Sequence, residues 1–205
     1  MAHGVTGPPL LLALAARKGL TVAGHLDAIR AISTWLGAWQ QTAEAGAWWP
    51  ETITPSELAV GQPDQRSPTR PSWYYGTPGI ARAGQLAALA LDDREMQRDH
   101  EQALADCLSD PAQLRQVSDS GLCHGWAGLY QTVWRAAQDA AIPALSEQLP
   151  ALGTRLREHV DRGHEERSPD SEGFLNGHAG TALALLTHMT NRPPVSGWDA
   201  CLLID

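Results

Sequence analysis

The sequence contains the stretch His124-Gly125-Trp126-Ala127-Gly128, in which two glycines lie three residues apart just ahead of an apolar segment. The same glycine spacing occurs in four places. The four stretches are His3-Gly4-Val5-Thr6-Gly7, Tyr75-Gly76-Thr77-Pro78-Gly79, His124-Gly125-Trp126-Ala127-Gly128 and Asn176-Gly177-His178-Ala179-Gly180. A recurring unit of this size is typical of a stacked or circular array, because one unit cannot bury its own apolar face. We therefore expect the residue before each first glycine to lie at the same end of the molecule.

The segments after the glycine pairs are rich in alanine and leucine, and they predict four buried helices at residues 8–16, 80–91, 129–141 and 181–189. Three amphipathic helices are predicted between them, at residues 25–42, 92–108 and 145–160. No window alternates as a strand would. Buried helices backed by amphipathic ones predict an all-α fold, an incomplete α/α barrel (toroid) of about four inner/outer helix units. We expect residues 1–205 to form one domain.

The spacing between the first and second glycine pairs is longer than the other two spacings, and the surplus lies between Trp48 and Trp73. This segment contains five prolines, which exclude a continuous helix. A long loop of this kind inside a compact domain is usually functional or disordered. The tryptophans at its ends predict that both ends are packed against the core.

The composition excludes several classes of protein. A net charge of −8, without a basic block, argues against a nucleic-acid surface. No apolar run is long enough to span a bilayer. Three cysteines without paired spacing make a disulfide framework improbable, so a reducing cytoplasm is the expected location.

The adjacent Cys123 and His124 are the sharpest chemical signal. A thiolate and an imidazole side by side at a helix entrance can face one zinc ion, although a buried cysteine beside a structural histidine is the commoner arrangement. The repeat register places Tyr74, Ala2 and Leu175 in line with Cys123. None of these three is a good zinc ligand.

Other candidates have two interpretations each. His3 could act as an acid or base, or it could be a frayed terminal residue. Arg70 could hold a carbonyl or carboxylate, or it could be solvated. The glycine pairs could open helix N-termini toward a shared site, or they could serve tight packing alone. Cys107 and Cys201 have no neighbouring histidine and are expected to be structural.

Several stretches, in the right order, resemble the lanthionine synthetase C-like family of lanthionine cyclases. The segment Trp73-Tyr74-Tyr75-Gly76-Thr77-Pro78-Gly79 is similar to the family's W-C-Y-G-x-P-G, and Cys123-His124-Gly125-Trp126-Ala127-Gly128 is similar to its C-H-G-x-A-G. The further similar stretches are Ala2-His3-Gly4, Trp48-Trp49-Pro50, Phe174-Leu175-Asn176-Gly177-His178-Ala179-Gly180 and Trp198-Asp199-Ala200-Cys201-Leu202-Leu203.

The resemblance implies a toroid of seven inner and seven outer helices, of which this chain would be the C-terminal part. It implies zinc-dependent addition of peptide cysteine thiols to dehydroalanine or dehydrobutyrine, which forms thioether rings in lantibiotic maturation. The implied partners are a dehydrated precursor peptide and either a dehydratase or an N-terminal half or homologous chain. An isolated half-toroid would expose apolar edges, so the chain is not expected to be a well-behaved monomer.

Residue by residue, the resemblance makes Cys123 and His124 zinc ligands and His3 a proton donor or acceptor. Arg70 and Tyr75 would line the site and stabilise developing charge. The family's first zinc cysteine falls on Tyr74, so the resemblance also leaves open impaired zinc binding. The alternative function is a non-catalytic peptide-binding module or pseudoenzyme of the same fold.

Overall fold

A computed structural model describes residues 4–163 and 172–205 of the chain, and the regular structure in these residues is helical apart from one short hairpin. The elements in chain order are α1 (Gly7–Arg17), α2 (His25–Ala38), β1 (Gln41–Ala43), β2 (Gly46–Trp48), α3 (Pro55–Val60), α4 (Thr77–Leu91), α5 (Arg94–Ser109), α6 (Pro111–Leu114), α7 (Trp126–Asp139), α8 (Ala144–Gly163), α9 (His178–Thr190) and a 3-10 helix, Trp198–Leu202.

The helices form two layers of an open toroid. Helices α1, α4, α7 and α9 follow the glycine pairs, and each contacts the next, so they form the inner layer. The outer layer consists of α2, α5 and α8. Helix α2 packs on α1, α5 packs on α4, and α8 packs on α7. The prediction of an all-α, incomplete α/α toroid is confirmed.

Burial differs between the middle and the ends of the inner layer. Helices α4 and α7 are buried over most of their surface, whereas α1 and α9 bury one face each. On α1 the side chain of Leu11 is 59% exposed, and on α9 Met189 is 80% exposed. The first and last inner helices of the described chain therefore present apolar edges.

The inner helices begin earlier than the sequence analysis predicted, because the second glycine of a pair lies inside the first helical turn. Helix α7 starts directly after Gly125 and includes Gly128. A Cβ atom on Gly128 would overlap the carbonyl oxygen of Leu122, and one on Gly180 would overlap that of Phe174. In these two turns the second glycine therefore permits the turn to fold back against its own helix, which favours the packing interpretation of the glycines.

A short hairpin replaces the predicted end of α2. Residues 25–42 were expected to be helical, but the helix ends at Ala38, and β1 then pairs antiparallel with β2. Gly46 has φ of +111° where the turn enters β2, a conformation that favours glycine. Strands of three residues are too short for alternation to be visible, so the sequence pattern did not predict this hairpin.

The proline-rich segment is ordered by its own polar contacts. In α3, Thr54 and Glu57 form a reciprocal capping box, and the Glu57 carboxylate also accepts a hydrogen bond from the backbone of Asp64. At the ends of the segment, Trp48 and Trp73 are buried, at 3% and 4% exposure, as predicted.

The C-terminal residues pack against the inner layer through hydrogen bonds to helix α4 and the turn before it. The Arg82 guanidinium is fully buried and donates to the carbonyl of Ile204 and to the carboxylate of Asp139. The same carboxylate accepts two hydrogen bonds from Arg17. This network ties α1, α4, α7 and the C-terminal segment together.

Within the described residues, no helix combines the length and the apolar character needed to cross a membrane. The three cysteines, Cys107, Cys123 and Cys201, are all free thiols.

Candidate functional site

Three of the four turns that precede inner helices lie side by side at one end of the toroid. The backbone N–H of Tyr74 donates to the carbonyl of Cys123 at 3.2 Å, and the N–H of Cys123 donates to the carbonyl of Leu175 at 2.9 Å. The residues that the repeat register placed in line are thus hydrogen-bonded neighbours.

The turn before α7 brings a thiol and an imidazole together. Cys123 Sγ lies 3.8 Å from His124 Nε2, with Cys123 buried and His124 half-buried. Asp119 shapes this turn, because its carboxylate accepts from the N–H of Gly121 at 2.9 Å and its carbonyl accepts from the N–H of Trp126 at 3.0 Å. The helix entrance therefore presents both side chains to the same space.

The charges around this pair oppose one another. Burial raises the pKa of the Cys123 thiol, the Asp119 carboxylate raises it further, and the Arg70 guanidinium lowers it. Burial lowers the pKa of His124, and Arg70 lowers it further, against the carboxylates of Asp119 and Glu51. The directions of these shifts favour a neutral thiol beside a neutral imidazole. Arg70 itself lies 3.7 Å from Asp119 in a partly exposed ion pair, Nη1 to Oδ2.

Tyr74 occupies the position in register with Cys123 in the neighbouring turn. Its ring lies edge-on to the His124 ring, with 4.9 Å between centroids, and edge-on to the Tyr75 ring, with 4.2 Å between centroids. The turn itself is fixed by Ser72, whose hydroxyl accepts from the N–H of Tyr75 and donates to its carbonyl. Tyr74 thus covers one side of the imidazole with an aromatic ring.

The donor set can be compared with what zinc requires. A tetrahedral zinc ion with ordinary Zn–S and Zn–N lengths would hold the two donor atoms about 3.6 Å apart, close to the observed 3.8 Å. A catalytic zinc usually takes three protein ligands. Among the described residues, no group of three or more histidine, cysteine, aspartate or glutamate side chains could hold a metal ion. Cys123 and His124 therefore fit two ligand places, and the described residues do not fit a three-ligand catalytic zinc centre.

The other predicted residues fall into separate places. His3 lies outside the described residues. Cys107 is deeply buried, which strongly raises the pKa of its thiol, and it donates to Gln113. Cys201 is exposed and donates to the carbonyl of Trp198. Neither thiol joins the Cys123–His124 pair. Asn176, before the last glycine pair, is exposed.

A cavity of about 360 Å³ is lined in part by Tyr74, whose ring contacts His124. It lies between α2, the segment after β2 and the start of α4. Its lining is mainly aromatic and aliphatic, with one carboxylate; the residues are Gly4, Val5, Thr6, Trp35, Leu36, Trp39, Trp49, Pro50, Glu51, Thr52, Ile53, Leu58, Tyr74, Tyr75, Gly76 and Ile80. We call this space the aromatic cavity. Tyr75 was predicted as a site residue from the sequence, whereas Glu51 and Asp119 were not. Their only sequence signal is their nearness to the Trp-Trp-Pro and Cys-His stretches.

Comparison with known proteins places the chain in a family. The family model described as lanthionine synthetase C-like protein matches residues 1–203. The chain belongs to this family. Among solved structures, a chain titled nisin cyclase superposes with a TM-score of 0.82 at 22% sequence identity, over 98% of this chain. A comparison with curated proteins finds no match.

The structural match covers 48% of the nisin cyclase chain, so this chain spans about half of that length. At this identity, the match shows a shared lanthionine cyclase-like fold and no more. The family match and the fold match agree with the resemblance of the Trp-Tyr-Tyr-Gly and Cys-His-Gly stretches.

Proposed function

We propose that this chain binds dehydrated, cysteine-containing peptides as part of a lanthionine cyclase-like toroid, and that it is not a competent zinc cyclase by itself. The observation that supports this most directly is the pair of donors at Cys123 and His124 beside an aromatic ring at Tyr74. The thiol and imidazole offer polar contacts to a peptide, whereas a third protein ligand for zinc is missing from the described residues.

In this proposal, Arg70 and Tyr75 line the peptide site. Arg70 is partly exposed, and its ion pair with Asp119 is long, so its guanidinium can turn toward a peptide carbonyl at little cost. Tyr75 borders the aromatic cavity. The role of His3 as proton donor or acceptor remains part of the proposal through the family resemblance. The proposed partners are a dehydrated precursor peptide and either a dehydratase or a chain that completes the toroid, in the cytoplasm.

Zinc-dependent thioether formation is the second candidate. The 3.8 Å separation of the Cys123 and His124 donor atoms favours it, because this is close to the separation that a shared zinc ion imposes. In that case the remaining ligand would come from outside the described residues.

The test is a binding and turnover assay with a fluorescently labelled peptide that contains one cysteine and one dehydroalanine. We expect the unmodified chain to bind it, the Cys123→Ala/His124→Ala double variant to bind about tenfold more weakly, and Cys201→Ser, which changes an exposed thiol elsewhere, to bind as before. Equal binding by all three chains would contradict the proposed site.

Turnover is measured on the same samples. Adding S–H across the C=C bond forms a C–S bond and moves the proton to the α-carbon, so the mass is unchanged and the free thiol disappears. Thiol alkylation followed by mass spectrometry therefore reports ring closure. We expect an alkylatable thiol to remain. Loss of the thiol above the rate without protein, dependent on added zinc, would establish the second candidate instead.

A further inference from the structure

The aromatic cavity has an unusual combination of walls and charge. Three tryptophans line it: Trp39 and Trp49 are buried, at 6% and 2% exposure, while Trp35 is 36% exposed. Trp49 is fixed, because its indole N–H donates to the carbonyl of Leu36 and its ring stacks on His100. The cavity walls are therefore aromatic surfaces held in place by contacts behind them.

Glu51 supplies the one carboxylate among the described lining residues, and no lysine, arginine or histidine is among them. Its position is set by two contacts. Its backbone N–H donates to Gln65 at 3.0 Å, and its carboxylate accepts a hydrogen bond from the hydroxyl of Thr69. No ion pair of Glu51 is found within residues 4–163 and 172–205. The residues that line the cavity thus include a carboxylate for which the described chain supplies no ion pair.

The aromatic walls and the Glu51 carboxylate together favour a ligand that has a positive charge at the end of an apolar chain. Methylene groups of lysine or arginine pack well on apolar walls, and their charged heads are attracted to aromatic faces and carboxylates. A purely apolar guest would cover the Glu51 carboxylate without replacing its water, which is unfavourable. The volume of about 360 Å³ lies at the small end of the range for ligand pockets and is ample for one long side chain.

Tyr74 links the cavity to the proposed peptide site. This residue lines the cavity, and its ring contacts His124. The Glu51 carboxylate also acts on His124, where it opposes the lowering of the pKa by burial and by Arg70. A peptide whose cysteine or dehydroamino acid lies at the Cys123–His124 pair can therefore place a nearby side chain in the cavity.

We propose that the aromatic cavity is a specificity pocket for a lysine or arginine side chain of the bound peptide, with Glu51 as the residue that selects the positive charge. This inference rests on the proposed function for its peptide context. The pocket itself can be tested without that context, because its preference is a property of the cavity.

The experiment uses two small probes, Nα-acetyl-lysine methylamide and Nα-acetyl-norleucine methylamide, which contain neither a thiol nor a dehydroamino acid. Binding is followed by tryptophan emission, since three tryptophans line the cavity. We expect the lysine probe to bind at least about fivefold more tightly than the norleucine probe. The Glu51→Gln variant should abolish this preference, and Glu44→Gln, at an exposed position on the β1–β2 turn, should retain it.

The proposed specificity pocket would be overturned by equal affinity for the two probes, by no binding of either probe, or by an unchanged preference in Glu51→Gln. Thermal unfolding of each variant is the control for retention of the fold. Trp35→Leu is a second variant, and it should weaken binding of the lysine probe. The proposed function is tested separately, because it fails if peptide binding does not depend on Cys123 and His124. The preference between the two small probes does not depend on that result.

Discussion

The backbone N–H of Tyr74 donates to the carbonyl oxygen of Cys123 at 3.2 Å, so two turns that are 49 residues apart in sequence are hydrogen-bonded neighbours. This bond places the Tyr74 side chain where the family resemblance expects a third zinc ligand. It also brings the Tyr74 ring against His124. The local chemistry of the site therefore depends on how tightly the glycine-containing turns pack.

We predict that Gly128→Ala strongly destabilises the protein. The added methyl group would overlap the carbonyl oxygen of Leu122, which is backbone and cannot move aside. We expect a loss of about 3 kcal/mol or more in the free energy of unfolding, measured by urea denaturation.

The matched control for this change is Gly37→Ala. Gly37 also lies in a helix, α2, but a Cβ there would meet nothing within 4 Å. This variant should be unchanged or more stable by about 0.5–1 kcal/mol. Similar losses in the two variants would show that the turn packing is not the cause.

We predict that Asp139→Asn destabilises the fold by about 2–3 kcal/mol at neutral pH, because the fully buried Arg82 loses its counter-charge. Burial lowers the pKa of Arg82 to about 10, and Asp139 opposes that shift. The comparison variant is Asp27→Asn, which removes an exposed ion pair with Arg30 and should change stability by less than about 0.5 kcal/mol.

The effect of Asp139 should depend on pH in a defined direction. Burial alone would raise the pKa of Asp139, but hydrogen bonds and charges from Arg17 and Arg82 outweigh it and lower that pKa below its ordinary 3.8. The unfolded carboxyl therefore binds a proton first as the pH falls. The stabilisation is fully present when the pH is above the ordinary pKa of the unfolded carboxyl. It is lost as the pH falls through the lowered pKa of the folded carboxyl. The difference in unfolding free energy between the unmodified chain and Asp139→Asn should shrink between pH 7 and pH 3, and a constant difference would refute this origin.

We predict that the isolated chain self-associates through its apolar edges. Leu186 and Met189 on α9 are 56% and 80% exposed, and Leu11 on α1 is also exposed. Leu186→Gln/Met189→Gln should shift the sedimentation distribution toward monomer. Val60→Gln, which changes an equally exposed residue at the end of α3, should not. A monomeric unmodified chain at about 50 μM would contradict this prediction.

The fold could be predicted from the sequence because its repeating signal is local. Each glycine pair marks the start of an inner helix, and the amphipathic stripe of residues such as Ile29 and Leu36 marks an outer one. The hairpin at Gln41–Trp48 was missed because its strands are too short to show a period. Three of the four inner helices, α4, α7 and α9, were predicted three residues late, since close approaches such as that of Gly128 to Leu122 are not visible in the sequence.

The candidate site was predictable where its residues are adjacent in sequence or are aligned by the repeat register. Cys123 and His124 were found because they are neighbours, and Tyr74 because the repeat register aligned it with Cys123. Glu51 and Asp119 were missed, because their positions depend on how the proline-rich segment and the preceding turn fold. The aromatic cavity likewise draws its walls from α2, the segment after β2 and α4, which no local pattern joins.

The zinc content of the purified chain is the most direct test of the central claim that Tyr74 leaves the Cys123–His124 pair one ligand short. Elemental analysis after dialysis against excess zinc and then zinc-free buffer should give well under about 0.3 zinc per unmodified chain. Tyr74→Cys should raise it toward about one, while Tyr75→Cys, one position along the same turn, should not. Near one zinc in the unmodified chain, or no gain in Tyr74→Cys, would show that Tyr74 is not the reason for a missing zinc ligand.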